Sequence, residues 1–278
     1  MSVAQIPAMS ARVRAKPIGR LGTNVLRSEW TKIRTVRSTY WTMLITVVST
    51  IGLSAMVSAI YVGQYDKLSA AERSIFNAAS YSLVGGILAQ LAIAVLGVLV
   101  ITGEYGTGMI RTTLAAVPQR LKVLSSKATV FTAMTLVVTM ISCFIAFFIG
   151  QAIFSAKGLN VGLGDPGVLR TVIGTSLYLA VLGLLALGLG TLIRKTAGAI
   201  SAIVGILFVL PVLTSLLPSS MSVIEKYMPS NAGEAIINGG VARGDTASLS
   251  PWLGLGVFFL WAAVALIAGA FRLARRDA

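Results

Sequence analysis

The chain has 278 residues, of which 56% are hydrophobic and only 12% are charged, and its mean hydropathy is +0.86. Soluble domains carry about 25% charged residues, so this composition excludes an ordinary soluble enzyme. Lysine and arginine number 23 against nine acids, for a net charge of +14, and there is no histidine and one cysteine. These counts exclude a disulfide framework and every site that requires histidine. They predict an integral membrane protein.

Six stretches are long and apolar enough to cross a bilayer as helices, which takes about 20 residues each. None of them contains an acidic or basic residue, and they cover residues 41–62, 83–101, 129–154, 172–193, 197–217 and 252–271. We predict a tight hairpin at residues 194–196, because one continuous helix would place two cations at the membrane centre. The expected fold class is an all-α integral membrane protein with a single transmembrane domain over residues 20–278.

The charged residues divide unequally between the two sides of the predicted membrane. The termini, the loop after the second span and the 194–196 hairpin together hold 17 basic residues and three acids, whereas the other loops hold six of each. By the positive-inside rule, the basic side faces the cytoplasm. Both termini are therefore expected in the cytoplasm. The positive charge then indicates attraction to anionic membrane lipids rather than to nucleic acid.

Residues 20–40 have the pattern of an interfacial amphipathic helix that precedes the first span. Apolar side chains cover about half of its circumference, and arginines line the opposite side. Glu29 interrupts the apolar face, so its carboxylate should be paired, either with a basic group of another cytoplasmic segment or locally with Lys32. Residues 1–19 are predicted to be a disordered cytoplasmic N-terminus.

The loop after the second span has an unusual order of residue types. Glu104 follows the span directly, and three glycines allow the chain to change direction. Residues 109–117 can form one or two helical turns, which Pro118 ends, and three basic residues come next. Beside the simpler interpretation of a solvated basic loop, this order favours a rigid element presented to the cytoplasm.

The composition of the spans limits the possible mechanisms, and the later segments indicate where the chain bends. The absence of ionisable residues within the spans argues against proton- or sodium-coupled transport and favours an external energy source. Pro211 should kink the fifth span, and Thr214 and Ser215 could satisfy the carbonyls that the kink frees. Residues 223–227 and 232–237 could form two short helices that dip into the outer leaflet, the alternative being an ordinary surface loop.

Three segments of the sequence resemble one family. The segment GEYGTGMIRTTLAAVPQR closely resembles the GEY-x-x-G-T/M-I-R-T-T-L loop of bacterial ABC-2 type transporter permeases, especially actinobacterial ones. SEWTKIRTVRSTYW resembles the pre-membrane helix of these permeases, and YMPSNAGEAI resembles a stretch before their last span. The resemblance extends over residues 27–271, which is most of the chain.

The resemblance implies an ATP-driven exporter in the bacterial plasma membrane. Such permeases pair with a second permease copy or a paralogue and bind two copies of a separate cytoplasmic ATPase, which holds the ATP and Mg²⁺. This chain would then bind no cofactor or metal and contribute no catalytic residue. Its substrate is not predicted.

The resemblance also assigns roles to individual residues. The segment that couples to the ATPase would consist of Glu104, Tyr105, Gly108, Arg111, Thr112 and Thr113. The relay on the connecting helix would consist of Glu29, Lys32 and Arg34. Spans two and five would line the dimer cavity, which makes Gln90, Thr214 and Ser215 candidate pathway residues. An ion pair between Arg111 and either Glu29 or Glu104 is expected near the inner interface.

Two other classes of protein compete with this interpretation. A membrane-embedded enzyme would need a polar catalytic cluster at membrane depth, and the spans offer no acid or histidine. A non-transporting scaffold or immunity protein would have no need for the loop at residues 101–127. Residues 188–196 lack the glycine before the lysine that a phosphate-binding loop requires, so the chain is not expected to be an ATPase itself.

Overall fold

The structure is a computed structural model that describes residues 19–117, 119–216, 225–238 and 249–276. These residues form helices and turns without a strand, and six helical segments are long and apolar enough to cross a membrane. The all-α fold with six predicted spans is therefore confirmed. Residues 1–18 of the predicted disordered N-terminus lie outside the described residues.

The helices alternate in direction through the six spans. Within the described ranges they are α1 Gly19–Thr35, α2 Arg37–Gln64, α3 Ala70–Ser74, α4 Ala78–Tyr81, α5 Gly86–Gly106, α6 Met109–Ala116, α7 Arg120–Phe154, α8 Val168–Ile193, α9 Thr196–Val204, α10 Leu210–Ser215, α11 Pro229–Asn238 and α12 Pro251–Arg276. The spans are α2, α5, α7, α8, the pair α9 and α10, and α12. We call the end with α1, α6 and the C-terminus of α12 the basic end, and the opposite end the neutral end.

Two helix boundaries at the basic end differ from the sequence prediction. The amphipathic helix stops at Thr35 rather than at residue 40, because Val36 is extended, with φ −76° and ψ 116°. Helix α2 then starts at Arg37. The third span begins at Arg120 rather than at residue 129, since no helix-breaking residue follows Pro118 and the extra two turns lie at the basic end.

Helix α8 lies at the centre of the bundle. In its most apolar stretch 78% of the residues are buried, compared with 17% in the fifth span. It packs against α5, α7 and α12, and small residues allow close approach. A Cβ atom built at Gly97 of α5 would lie only 2.6 Å from the carbonyl oxygen of Gly183 in α8. The central helix is therefore held by backbone-to-backbone packing.

The fifth span is irregular just before Pro211, where a kink was expected. A π-helical turn at Gly205–Val209 separates α9 from α10. Proline has no N–H, and its ring would clash with the carbonyl of Leu207 in a regular helix; the wider turn accommodates both effects. The Thr214 hydroxyl donates to the Pro211 carbonyl oxygen at 3.0 Å, so it does not serve the carbonyl of Leu207. The side chain of Ser215 lies outside the description.

The link between α8 and α9 is the predicted tight hairpin. Helix α8 ends at Ile193 and α9 starts at Thr196. Arg194 adopts φ 67°, the one left-handed non-glycine backbone conformation among the described residues. Its guanidinium donates to the carbonyl oxygen of Arg272 at 3.0 Å, which ties the hairpin to α12.

The neutral end is closed in part by the short helix α11. It packs against α8 and α12, and Gly233 sits so close to Tyr178 that a Cβ there would lie 2.7 Å from the ring. The predicted short helix at residues 232–237 is thus present with wider bounds. Of the other predicted helix, residues 223–224 lie outside the described ranges, and only residues 225–226 are helical before a turn.

Candidate functional site

Four charged side chains from three helices meet at the basic end. The Lys127 ammonium of α7 lies 2.6 Å from Glu29 Oε2 and 2.9 Å from Glu104 Oε1. The Lys32 ammonium of α1 lies 2.8 Å from Glu29 Oε1 and 3.0 Å from the same Glu104 oxygen. We call these four residues the charge cluster. Because it contains two acids and two bases, the cluster has no net charge.

The charge cluster is largely removed from solvent. Glu29 is 1% exposed, Lys127 2% and Glu104 7%, whereas the Lys32 side chain is 27% exposed. Ion pairs that are buried to this degree depend strongly on both partners, because a single remaining charge would be left without solvation. The cluster therefore links α1, α5 and α7 into one unit at this end of the bundle.

The ionisation of two cluster members is shifted by their surroundings. Burial alone would raise the pKa of Glu29, but the charges and hydrogen bonds of Lys127 and Lys32 outweigh it and hold that pKa below the usual value. Burial alone would lower the pKa of Lys32, but its bonds to Glu29 and Glu104 raise it above the usual value. Both side chains are therefore charged at neutral pH.

Packing of the apolar face of α1 places Glu29 in the cluster. Val25 and Ile33 are 7% and 5% exposed, and Ile33 shares an apolar core with Leu124 of α7. Glu29 lies four residues from each of them, so all three share one face of the helix. When the apolar residues pack against α7, the carboxylate is buried with them.

Lys127 reaches the cluster for the same reason. On α7 it follows the buried Val123 by four residues and precedes the buried Phe131 by four. A lysine on an otherwise apolar helix face requires an acidic partner when that face is buried. Lys127 is not among the predicted site residues, because the predicted third span starts at residue 129. The signal that identified Glu29, a charge on an apolar face, was also available for Lys127.

The short helix expected in the loop after the second span is present as α6. Gly108 caps its start with φ 73°, a conformation that favours glycine. Ile110 is buried beneath the helix, while Arg111 and Thr112 are exposed. Thr113 is within reach of the charge cluster, since its hydroxyl accepts from the Lys32 ammonium at 3.4 Å.

The expected ion pair of Arg111 with Glu29 or Glu104 is wrong. Both acids are paired with Lys32 and Lys127 instead. Arg111 projects from the exposed side of α6, because Ile110 occupies the buried side. For Glu29, both sequence alternatives hold at once: it pairs locally with Lys32 and also with a base from another segment. Arg34, the third predicted relay residue, is exposed and lies outside the cluster.

A depression of about 880 Å³ lies next to α6 at the basic end. Arg111, Arg120 and Arg194 line it together with Tyr105. Arg194 lies over the Tyr105 ring at 5.3 Å from its centroid. Arg120 donates to the carbonyl oxygens of Leu273 and Ala274 at 3.1 and 3.0 Å. The depression is therefore basic, and its wall is fixed to the C-terminal turns of α12.

The predicted pathway residues are placed apart from the charge cluster. Gln90 is buried on α5, where its Oε1 accepts a hydrogen bond of 2.8 Å from the Tyr178 hydroxyl of α8. Gln90 also lines a cavity at the neutral end. Thr214 is buried on α10 and is not among the described residues that line this cavity. Their proposed role in a pathway stays a prediction.

The fold defines a multi-pass membrane protein with six helical segments that are long and apolar enough to span a bilayer. A family model described as ABC-2 family transporter protein matches residues 25–212, which is more than half of the chain and includes most of α1, all of α6 and the whole charge cluster. The chain therefore belongs to the ABC-2 transporter family. It is a permease-type membrane protein of that family. A comparison with curated proteins found no match.

Proposed function

We propose that this chain is the permease subunit of an ATP-driven exporter, coupled through its basic end to a separate ATPase. The observation that carries the proposal is the charge cluster, which joins α1, the end of α5 and the start of α7 beside α6. Membership of the ABC-2 family supports an ABC ATPase as the partner. The ATPase would supply the ATP and Mg²⁺ sites, and this chain would bind neither.

The proposed orientation follows from the distribution of charge. The basic end carries the excess of lysine and arginine, which favours the cytoplasmic side of a bacterial plasma membrane. The exposed side of α6, with Met109, Arg111 and Thr112, would then face the cytoplasm as the contact surface for the ATPase. Two permease chains, identical or paralogous, would each bind one of two ATPase copies.

The charge cluster gives this contact a mechanical route into the bundle. A displacement of α6 acts on Glu104, which lies at the end of α5 only five residues before Met109. Glu104 shares Lys32 and Lys127 with Glu29, so α1 and α7 are displaced with it. Because separating one buried pair is costly, the three helices move together rather than one at a time. A common movement of spans is what alternating access requires.

The direct test is purification of the tagged chain from its native host in mild detergent. The proposal expects an ABC ATPase subunit to co-purify in equal amount. Arg111→Glu on the exposed face of α6 should reduce that recovery, whereas Lys122→Glu, an exposed control on α7, should leave it unchanged. Recovery of a monodisperse permease with no ATPase would overturn the proposal and favour the scaffold or immunity protein.

A further inference from the structure

A cavity of about 270 Å³ lies at the basic end, where the link between α1 and α2 faces the second half of α5. Apolar side chains form most of its walls: Leu96, Leu99 and Val100 come from α5, and Ile33 and Val36 come from α1 and the link. The volume is just below the range of about 300–1,000 Å³ that is typical of sites for drug-sized ligands. The cavity therefore suits one hydrocarbon chain rather than a large ring system.

The cavity is open at the predicted depth of the membrane interface. Val36 and Met109, which line it, are 47% and 45% exposed. Tyr40 and Trp41, which come directly after the cavity residue Thr39, are 67% and 60% exposed, and such aromatic side chains are enriched where lipid headgroups meet hydrocarbon. Mainly apolar walls hold water poorly, whereas a lipid chain fills the space by close packing.

Thr39 gives the cavity a hydrogen-bonding point. It is 5% exposed and lines the cavity, yet its hydroxyl makes no hydrogen bond to another described residue. The hydroxyls of Thr42, Thr46 and Thr50 donate to the carbonyl four residues earlier, within 2.9 Å. Thr39 has no such helical carbonyl, because α2 begins only two residues before it. A buried hydroxyl without a partner costs free energy, so a ligand that supplies one is favoured.

Glu104 is a second polar group of the wall whose bonding is incomplete. It is 7% exposed, and its Oε1 accepts from Lys32 and Lys127 at 3.0 and 2.9 Å. Its Oε2 accepts from no described residue. The cavity therefore favours a group that donates to a carboxylate oxygen and also bonds to the Thr39 hydroxyl. A ligand hydroxyl does both, since it is a donor and an acceptor.

The charged residues that line the cavity disfavour a charged ligand. All four members of the charge cluster line it. Their two acids oppose an anion and their two lysines oppose a cation, while the cluster has no net charge for either to neutralise. A further charge in this partly desolvated site would lack a partner. An uncharged headgroup avoids that cost.

We propose that this cavity binds an uncharged lipid of the acylglycerol class, with a headgroup hydroxyl at Thr39 and Glu104 and the chain against Leu99 and Val100. Such a site lies within one chain, so it is independent of the proposed ATPase contact. Its occupant lies between the link after α1 and the end of α5. The lipid would therefore also affect how closely these two elements approach each other.

The test uses the full chain in phosphatidylcholine nanodiscs, without the ATPase. The probe is monododecanoylglycerol with a photoreactive diazirine at the end of its chain, and mass spectrometry identifies the residues that it labels. Unlabelled monododecanoylglycerol, dodecyl sulfate and dodecylammonium compete as neutral, anionic and cationic molecules of the same chain length. We expect saturable labelling within residues 96–109. The neutral compound should compete at a concentration about tenfold lower than either charged compound, a difference of about 1.4 kcal/mol.

Two variants remove the polar and the apolar part of the site separately. Thr39→Val keeps the size of the side chain and should weaken labelling about threefold to tenfold, as expected for one neutral hydrogen bond. Thr42→Val, on the same helix outside the cavity, should leave it unchanged. A Cβ at Gly103 would meet no atom within 4 Å, and Gly103 lines the cavity, so Gly103→Leu should fill it and abolish labelling. Gly52→Leu, with equally open surroundings outside the cavity, should label like wild type.

Three results would overturn the inference. The first is labelling that does not saturate and is spread over the exposed faces of all spans, which would indicate annular lipid only. The second is equal competition by the three compounds, or wild-type labelling in both Thr39→Val and Gly103→Leu. The third is no labelling of residues 96–109 in the wild type, which would favour a second permease copy over the mouth of the cavity. Because the ATPase is absent, a failure of coupling would leave each result intact.

Discussion

Glu29 is a buried acid whose ion pairs connect helices of the bundle. An acid on the apolar face of α1 would be expensive to bury alone, but two lysines surround it at 2.6 and 2.8 Å. Lys127 in turn bonds Glu29 and Glu104, which come from two different helices. The residue that sequence reasoning overlooked is therefore one of the two lysines, with Lys32, that join the two acids of the charge cluster.

Removing Lys127 should destabilise the protein more than removing any exposed lysine. Lys127→Met leaves Glu29 and Glu104 with only the partly exposed Lys32, and the expected loss is about 3–5 kcal/mol. Lys122→Met on the exposed side of the same helix should change stability by less than about 0.5 kcal/mol. Thermal unfolding of both variants in detergent measures the difference. Equal melting temperatures would show that the cluster adds nothing to stability.

The charge cluster should also give stability a defined dependence on pH. The pKa of Glu29 is lowered in the folded protein, so its contribution is present above the usual glutamate pKa and is lost as pH falls through the folded value. The pKa of Lys32 is raised, so its contribution is present below the usual lysine pKa and is lost as pH rises through the folded value. Melting temperatures should be flat near neutral pH and fall at both extremes. The acid fall should be smaller in Glu29→Gln, and an identical profile would contradict this assignment.

At the scale of the elements, α6 and its link to α5 determine how the basic end could respond to a partner. Helix α5 ends at Gly106 and α6 begins at Met109, so only two residues connect the charged end of a span to an exposed short helix. Gly108 makes this sharp turn with φ 73°. The orientation of α6 therefore depends on one left-handed glycine.

Substitution of Gly108 should misalign α6, whereas substitution of a neighbouring glycine should not. Gly108→Ala imposes about 1–2 kcal/mol of backbone strain in the left-handed region. Gly106→Ala has open space around it and no such conformation. We expect Gly108→Ala to lower both the melting temperature and the recovery of the ATPase, with Gly106→Ala close to wild type. Wild-type values for both variants would show that the turn at Gly108 has no part in coupling to the ATPase.

Much of this architecture follows from hydrophobic patterning, and the exceptions have physical causes. The six spans, the short helix after Gly108 and the hairpin at Arg194 are predicted by apolar runs, glycines and basic residues. The break at Val36 has no glycine or proline to signal it, and α1 packs against α7, a contact between residues distant in sequence that local pattern does not predict. The turn at residues 82–85, which precedes α5, is bonded at Gly85 to Ser54 of α2, a residue distant in sequence. Pro211 predicted a kink, but the π-helical turn is a property of the folded helix.

For the whole molecule, the charge asymmetry is the main argument for orientation. All four members of the charge cluster come from the basic end, and they neutralise one another. The remaining excess of basic residues is therefore available to interact with anionic lipids and with a protein partner. The neutral end carries the cavity that Gln90 lines instead.

Labelling of single cysteines should establish this orientation. Cys143 is buried, so background reaction with a membrane-impermeant maleimide should be low. Ser74→Cys, exposed at the neutral end, should react in intact cells, whereas Ser125→Cys, exposed at the basic end, should react only after permeabilisation. The reverse pattern would place the basic end outside and remove the basis for ATPase contact.

The most direct test of coupling through the charge cluster is ATP hydrolysis by the complex of the chain and its ATPase, reconstituted in liposomes. We compare wild type with Lys127→Met, with the charge-balanced double variant Glu29→Gln/Lys127→Met, and with the exposed control Lys122→Met. The account predicts that the permease no longer changes the hydrolysis rate of the assembled ATPase in either cluster variant, while Lys122→Met behaves as wild type. Wild-type hydrolysis in an assembled, monodisperse complex of the double variant would contradict it.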